Sequence, residues 1–313
     1  MPTTIVLDTD PGIDDALALL LAARASASRL AAVAVTYGNT ALDRAVRNAR
    51  YVLARAASDV PVFTGADRPL TRPLVTAKET HGGEGLGDLG DLPPPEAVIP
   101  SPRGLLDALS AAPAPVTLVT LGPLTNLARA LREDGALVRR SVRRHVMMGG
   151  NVAAAGNTGP YSEFNVWCDP EAADLVIRAG LGTEMVGLDV TRRLVLPAPA
   201  VAKLAHHADS EARWFGALLG FYVRFHRERE GLHGAVINDP LALALALEPG
   251  WGVAERMHIA VDLGGGEHRG RTALGGPDQP AISVYRQVDT SRVHELLLQH
   301  LFGRWLTKAD FGP

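Results

Sequence analysis

The sequence has little of what disulfide-stabilised, secreted or membrane-spanning proteins need. Only one of its 313 residues, Cys168, is a cysteine, which excludes an intrachain disulfide and a thiol-based metal site. The first residues lack the basic segment and the long apolar stretch of a secretory signal. The apolar run at 16–25 is too short to span a bilayer and directly follows two acids. These absences predict a soluble protein of the reducing cytoplasm.

Positive charge is not gathered into a large cluster. The formal net charge is -3 at pH 7, and the Lys and Arg residues are scattered along the chain. Nucleic acids and anionic membranes both bind clustered positive charge. We therefore expect neither of them as a partner.

Apolar residues, in contrast, are abundant enough for a large core, at 47% of the chain. Short β-type runs alternate with longer helical ones. The predicted strands cover residues 4–7, 30–36, 60–63, 116–121, 142–148 and 184–188, and the predicted helices cover 16–25, 41–57, 124–132 and 170–179. Most of these strands are continuous apolar runs, which indicates a sheet buried on both faces. The pattern predicts an α/β, Rossmann-like fold with a mostly parallel central sheet flanked by helices.

The last third of the chain has a different pattern. Helices are predicted at 210–230, 240–247 and 291–305, and strands at 257–261 and 281–288. A proline-rich segment at 92–102 is predicted to be a surface loop. Neither an internal repeat nor a clear linker is visible. We therefore predict a single domain over 1–313, with a helical elaboration at about 197–247 covering the site.

Polar residues follow most of the predicted strands, at the edge where open α/β sheets bind their ligands. They are Asp8, Asp10, Asn39, Thr125, Asn126, Gly149, Gly150, Asn151 and Asp189. The densest group lies at the first strand-to-helix turn, where Asp8, Asp10, Asp14 and Asp15 fall within eight positions. Four carboxylates this close repel one another unless a positive charge offsets them. Helix capping accounts for one or two of them, whereas a hard divalent cation with oxygen ligands accounts for all four.

Several motifs resemble those of the inosine-uridine-preferring nucleoside hydrolase family. The resemblance begins with Asp8-Thr9-Asp10-Pro11-Gly12-Ile13-Asp14-Asp15-Ala16. It continues through Val35-Thr36-Tyr37-Gly38-Asn39, Leu121-Gly122-Pro123-Leu124-Thr125-Asn126, Met148-Gly149-Gly150, Gly156-Asn157, Glu163-Phe164-Asn165, Asp169-Pro170-Glu171-Ala172 and Asn238-Asp239-Pro240-Leu241-Ala242. Each motif is weak alone, but together they occur in order along most of the chain and mostly at the ends of predicted strands.

The resemblance implies a calcium-dependent enzyme that hydrolyses the bond between ribose and a nucleobase. It implies a Ca²⁺ site formed by Asp10, Asp15, Asp239 and the backbone carbonyl of Leu121, with water and ribose hydroxyls as further ligands. Asp10 would also be the general base. The implied ribose-binding residues are Asp14, Asn39, Met148, Asn157, Glu163, Asn165 and Asp239. A homodimer or homotetramer is implied as well.

The resemblance also implies that the nucleobase lies against the helix that ends near residue 230. Tyr222, His226 and Glu230 are spaced four apart and share one helical face. Asn238 stands where many family members carry a histidine assigned to the leaving group, and an amide cannot act as a general acid. We expect His226 to replace it, with Glu230 raising the pKa of His226, and His81 in a glycine-rich loop to be the second candidate.

Two alternatives compete with this interpretation. A strand that ends in Asp8-Thr9-Asp10 superficially fits the nucleophile motif of haloacid dehalogenase-type phosphatases, but that motif leaves Asp14, Asp15 and Asp239 unexplained. The second alternative is a catalytically impaired family member that binds calcium and ribonucleosides, which Asn238 favours and Asp10 disfavours.

Overall fold

The computed structural model of the protein describes residues 2–90, 92–94, 101, 103–113 and 115–312. The predicted loop at 92–102 lies mostly outside these residues. The strands are β1 Thr3–Thr9, β2 Ser28–Val35, β3 Val62–Thr64, β4 Val116–Thr120, β5 Val142–Met148, β6 Glu184–Val186, β7 Val195–Pro197, β8 Gly234–Val236, β9 Gly252–Val261, β10 Thr272–Leu274 and β11 Ala281–Val288.

Helices connect most of these strands. They are α1 Ile13–Arg24, α2 Leu42–Arg55, α3 Lys78–His81, α4 Leu105–Ala111, α5 Thr125–Ser141, α6 Phe164–Cys168, α7 Pro170–Arg178, α8 Leu188–Thr191, α9 Ala198–Ala205, α10 Ser210–Glu230, α11 Asn238–Leu247 and α12 Thr290–Leu297. Within the described ranges, none of them combines the length and the apolar character needed to cross a bilayer.

The central sheet confirms the predicted α/β, mostly parallel fold. Among the described residues, nine strands pair in the order β10-β9-β11-β6-β5-β4-β1-β2-β3. Pairing is parallel from β3 through β11, and β9 pairs antiparallel with both β11 and β10. Chain order reverses at β1, which lies between β2 and β4. A ligand crevice forms at such a reversal, outside the carboxyl ends of the strands.

Burial explains why these strands were visible in the sequence. All five residues of β4 are buried, as are the last five of β1, so both faces of the sheet are covered. Short elements were missed: β7, β8 and β10 have three residues each and show no periodicity. The helix predicted at 124–132 continues to Ser141 through a kink at Asp134.

The segment at about 197–247 is mainly helical but also contains β8, which pairs with β7. Its longest helix, α10, has the predicted bounds. Asp209 begins it by accepting hydrogen bonds from the backbone N–H groups of Glu211 and Ala212. Gly231 ends it in the left-handed conformation, with φ 68°. The division of the chain into domains stays a prediction.

Candidate active site

The acidic residues after β1 lie inside the protein. Asp10 and Asp15 have no exposed surface, and Asp8 and Asp14 are 1% and 3% exposed. The carboxylate of Asp15 accepts hydrogen bonds from the Thr9 hydroxyl, from Gly12 N at 3.0 Å and from Asn39 Nδ2 at 2.8 Å. Asp15 thus caps α1, as the capping interpretation expects for one of these acids.

The two acids of β1 and its following turn are incompletely satisfied. Asn126 Nδ2 donates to Asp8 Oδ1 at 2.7 Å, and Asn39 N donates to Asp10 Oδ2 at 2.7 Å. The second oxygen of each carboxylate is buried without a hydrogen-bond partner among the described residues. Gly122 lies against Asp10 so closely that a Cβ atom there would come within 2.5 Å of Asp10 Oδ1. The carboxylate of Asp10 therefore fills the space beside Gly122, and no side chain fits at position 122.

Three carboxylates approach one another most closely. Oxygens of Asp14, Asp15 and Asp239 lie within 4.8 Å of each other, a spacing that could hold a metal ion. Burial raises the pKa of Asp15 to about 6, and the charge of Asp14 contributes to the rise. Burial raises the pKa of Asp239 well above its ordinary value, and so do the charges of Asp14 and Asp15. Because ionised carboxylates are this unfavourable here, a cation would be strongly attracted.

The predicted set differs from this cluster in one member, because it takes Asp10 instead of Asp14. Burial raises the pKa of Asp10 well above its ordinary value, and the nearby charge of Asp15 raises it further. Both oxygens of Asp14 are already bonded: Tyr222 OH donates to Oδ1 at 3.0 Å, and Asn238 Nδ2 donates to Oδ2 at 3.1 Å. Of Asp10 and Asp14, only Asp10 therefore has a carboxylate oxygen without a hydrogen-bond partner among the described residues.

Residues from the middle of the chain contribute two amides and one carboxylate to the same site. Asn165 Nδ2 donates to the Leu121 carbonyl at 2.6 Å and lies 3.4 Å from Met148 Sδ. Glu163 accepts backbone N–H groups of Gly150 and Asn165, each at 2.9 Å. Asn157 is exposed, and its Oδ1 accepts the backbone N–H of Phe164. These contacts fix the carbonyl of Leu121 and the carboxylate of Glu163 in one orientation.

His81 lies on the one-turn helix α3 rather than in an open loop, and it is buried. The backbone N–H of Ile13 donates to its Nδ1 at 3.0 Å, so the proton of the neutral ring is on Nε2. That nitrogen lies 3.4 Å from Tyr222 OH. Burial lowers the pKa of His81 to about 4, so the ring is neutral at pH 7. A Cβ atom on Gly12 would lie 2.4 Å from His81 Nδ1, so glycine is required for this approach.

His226 is also buried, one helical turn after Tyr222. Burial lowers its pKa, although the charges of Glu230 and Asp14 oppose the change. The expectation that Glu230 raises the pKa of His226 is therefore wrong in its net effect, because desolvation outweighs the attraction of an exposed carboxylate. His226 Nδ1 has no hydrogen-bond partner among the described residues.

An inner cavity brings most of the predicted residues together. Of the predicted site residues, it is lined by Asp14, Asn39, His81, Leu121, Met148, Asn157, Glu163, Asn165, Tyr222, His226, Asn238 and Asp239. Asp10 and Asp15 are not among the residues that line this cavity. An outer cavity adjoins it and shares Asn157, Phe164, Phe225 and Glu230 with it. Asp189 lines neither cavity and instead accepts hydrogen bonds from the backbone of Val152 and Ala153.

Sequence reasoning missed two aromatic residues of the cavity walls, Phe164 and Phe225. Phe164 stands inside the motif Glu163-Phe164-Asn165, and Phe225 follows Tyr222 by three positions. Because residues three apart are neighbours on a helix, this spacing could have predicted that Phe225 lies beside Tyr222 on the cavity wall.

The model of the inosine-uridine preferring nucleoside hydrolase family matches residues 5–295. The chain belongs to this family. It is 34% identical to the pyrimidine-specific ribonucleoside hydrolase RihA of Shewanella woodyi, over 96% of this chain and 98% of that protein. It is 32% identical to the pyrimidine-specific ribonucleoside hydrolase RihB of Escherichia coli O17:K52:H18, over 91% of this chain and 93% of that protein.

Solved structures agree with this membership. A plant nucleoside hydrolase superposes with a TM-score of 0.86 at 27% identity, with 100% of each chain covered. The purine-preferring ribonucleoside hydrolase of Gardnerella vaginalis gives a TM-score of 0.86 at 27% identity, over 96% of this chain and 98% of that one. The predicted family and the predicted N-ribosyl hydrolase activity are confirmed, and the phosphatase alternative is wrong.

Proposed function

We propose that the enzyme is a calcium-dependent hydrolase of ribonucleosides, of the inosine- and uridine-cleaving type, that releases ribose and the free base. One observation carries the calcium dependence: Asp10 Oδ1 is buried without a partner in a turn crowded with carboxylates. The names of the relatives support ribonucleosides as substrates, since two act on pyrimidine and one on purine ribonucleosides.

The donor atoms at this site suit calcium. They are carboxylate and carbonyl oxygens, the ligands that this hard cation prefers. We assign Asp10, Asp15, Asp239 and the Leu121 carbonyl as the ligands. When bound, calcium offsets the carboxylate charges and acidifies a water molecule.

The remaining residues orient the ribose and stabilise the charge that develops on it. Cleavage of an N-glycosidic bond leaves an oxocarbenium-like, positively charged ribose ring. Buried carboxylates of Asp14 and Glu163 lie on the cavity wall, where they favour positive charge. Asn39, Asn157 and Asn165 hold the ribose hydroxyls, and Met148 packs against the sugar. Asp10 accepts the proton of the attacking water.

The leaving base is assisted by His226 as a neutral hydrogen-bond donor. Its lowered pKa leaves little imidazolium at pH 7, so a full proton transfer from this ring is disfavoured. Asn238 cannot protonate the base, because an amide is not a general acid, and one of its Nδ2 hydrogens is already donated to Asp14. His81 uses its Nε2–H towards Tyr222 and serves to position that hydroxyl.

The test is release of reducing sugar from inosine, adenosine, guanosine, uridine and cytidine, with calcium and after chelation. We expect turnover with calcium and its loss without it. Asp15→Ala and Asp239→Ala should lose tight calcium binding and activity together. Full turnover of the chelated enzyme would contradict the metal assignment. Unchanged nucleosides together with tight, calcium-dependent ribose binding would instead support the binding-only alternative.

Oligomeric state and cellular location stay predictions. The expected homodimer or homotetramer can be tested by light scattering of the calcium-loaded protein. The cytoplasmic location can be tested by cell fractionation.

A further inference from the structure

The end of α10 contributes a carboxylate to the cavity. Asn238 and Glu230 both line the inner cavity, and Glu230 also lines the outer one. Under the proposed function the ribose lies against the carboxylates, so the base must extend towards these two residues. The inference below rests on that function.

The amide of Asn238 has a defined orientation. Its backbone N and its Nδ2 both donate to Asp14 Oδ2, at 3.2 and 3.1 Å. A carboxylate can only accept, so the NH₂ group must be the one that faces Asp14. Asn238 Oδ1 is buried and has no hydrogen-bond partner among the described residues. Asp14 uses one of the two Nδ2 hydrogens, and the buried Oδ1 is not open to the cavity, so the hydrogen-bond acceptor that this end of the cavity exposes is the carboxylate of Glu230.

Glu230 is in an unfavourable position for a helix acid. It is the last residue of α10, where the negative end of the helix dipole disfavours a carboxylate. Within the described ranges Glu230 takes part in no ion pair. The two arginines of the outer cavity are used elsewhere: Arg229 pairs with Glu79 at 3.1 Å, and Arg192 donates to the Gly156 carbonyl at 3.1 Å.

We infer that Glu230 selects nucleobases that present amino groups to the end of α10. The 2-amino group and N1–H of guanine offer a carboxylate two adjacent donors, and the 4-amino group of cytosine offers one. Hypoxanthine lacks the 2-amino group. Uracil places a carbonyl oxygen where cytosine has its amino group, which faces a carboxylate unfavourably. The enzyme therefore prefers guanosine to inosine and cytidine to uridine.

These two nucleoside pairs are the experiment: guanosine and inosine differ only in the 2-amino group, and cytidine and uridine differ in the 4-substituent and in the hydrogen on N3. Steady-state kcat/KM is measured for all four nucleosides with the calcium-loaded wild-type enzyme, Glu230→Gln and Glu228→Gln. Glu228 is exposed on the same helix end and lines neither cavity, so it is the charge-matched control. We expect the wild type to favour guanosine and cytidine by roughly tenfold, the effect of one hydrogen bond to a charged group. Glu230→Gln should bring both ratios close to one, and Glu228→Gln should leave them unchanged.

The outcomes separate this inference from the proposed function. If the wild type showed no preference within either pair, or favoured inosine and uridine, the inference would be overturned. Release of ribose would still uphold the proposed function. A uniform loss in Glu230→Gln, with both ratios retained, would show that Glu230 does not read the base and would also overturn it. Absence of ribose release from all four nucleosides would overturn the function and the inference together.

Discussion

Asp10, like Asp8, has one bonded and one unpartnered carboxylate oxygen among the described residues, and it is the one of the two that we assign as a metal ligand and general base. Asp10→Asn keeps the size of the side chain and a neutral oxygen, but removes the base. We expect kcat to fall by about two to four orders of magnitude, as is typical of losing general base catalysis. Calcium titration and substrate binding should show that both ligands still bind. A loss confined to KM would mean that Asp10 only binds.

His226 is the residue whose role depends most on its surroundings. Its ring lines the inner cavity, where a small rotation of the side chain would bring a ring N–H towards the leaving base. His226→Ala should slow inosine cleavage by about 100-fold, the lower range of acid–base assistance. A 4-nitrophenyl riboside, whose leaving group needs no assistance, should be slowed much less. Equal slowing of the two substrates would mean that His226 only shapes the cavity.

Residue types and motif order predicted which side chains would meet, but not their protonation. The sequence places Glu230 one turn after His226, and from spacing alone the carboxylate should raise the pKa of the imidazole. Burial of the ring has the opposite and larger effect. Burial comes from packing between distant segments, such as α3 and α10, which spacing along one helix does not reveal.

At the scale of the element, strands that are buried on both faces were predicted to within two residues of most ends, because their apolar runs are continuous. The kink at Asp134 and the change from α12 to a π-helix over Leu298–Phe302 were not predicted, because local backbone geometry rather than composition sets them. The one-turn helix α3 was not predicted, because four residues are too few to show a helical period.

Helix α10 provides a stability test with an internal control. Gly216 packs so tightly on α9 that a Cβ atom would lie 2.3 Å from the Cα of Ala205, whereas a Cβ atom on Gly220 would meet nothing closer than 3.7 Å. Gly216→Ala should destabilise the protein by about 1–3 kcal/mol through overpacking. Gly220→Ala should stabilise it by up to about 1 kcal/mol, because alanine favours the helix. Urea unfolding measures both, and equal effects would contradict the close contact of α9 and α10.

For the whole molecule, His145 links folding stability to pH. It has no exposed surface and lies between the hydroxyls of Thr120 and Thr183, each 3.1 Å from a ring nitrogen. Burial lowers its pKa to about 3, whereas in the unfolded chain it titrates near 6.5. The unfolded state therefore binds the extra proton between these values, and stability falls as the pH drops below about 6.5.

The prediction for His145 is tested by comparison with His145→Gln, which has no titrating ring. From pH 6 to 4, with saturating calcium in both proteins, the wild type should lose stability relative to the variant by roughly 1 kcal/mol per pH unit. Unfolding free energies from urea titrations at each pH give this difference. A difference that does not change with pH would mean that the folded protein accepts a proton on His145.

The two sides of the cavity come from different parts of the fold. Asp10 and the Leu121 carbonyl follow central strands, and Asp239 lies in the first turn of α11; all three residues are buried. Phe225, His226 and Glu230 belong to the last two turns of a single helix that ends at the surface. Apart from His226, residues in those two turns can be substituted without disturbing the groups that break the bond. In a lineage of such enzymes, the range of accepted nucleobases can therefore change while the hydrolytic step stays the same. Closely related sequences can then differ in the nucleosides that they cleave.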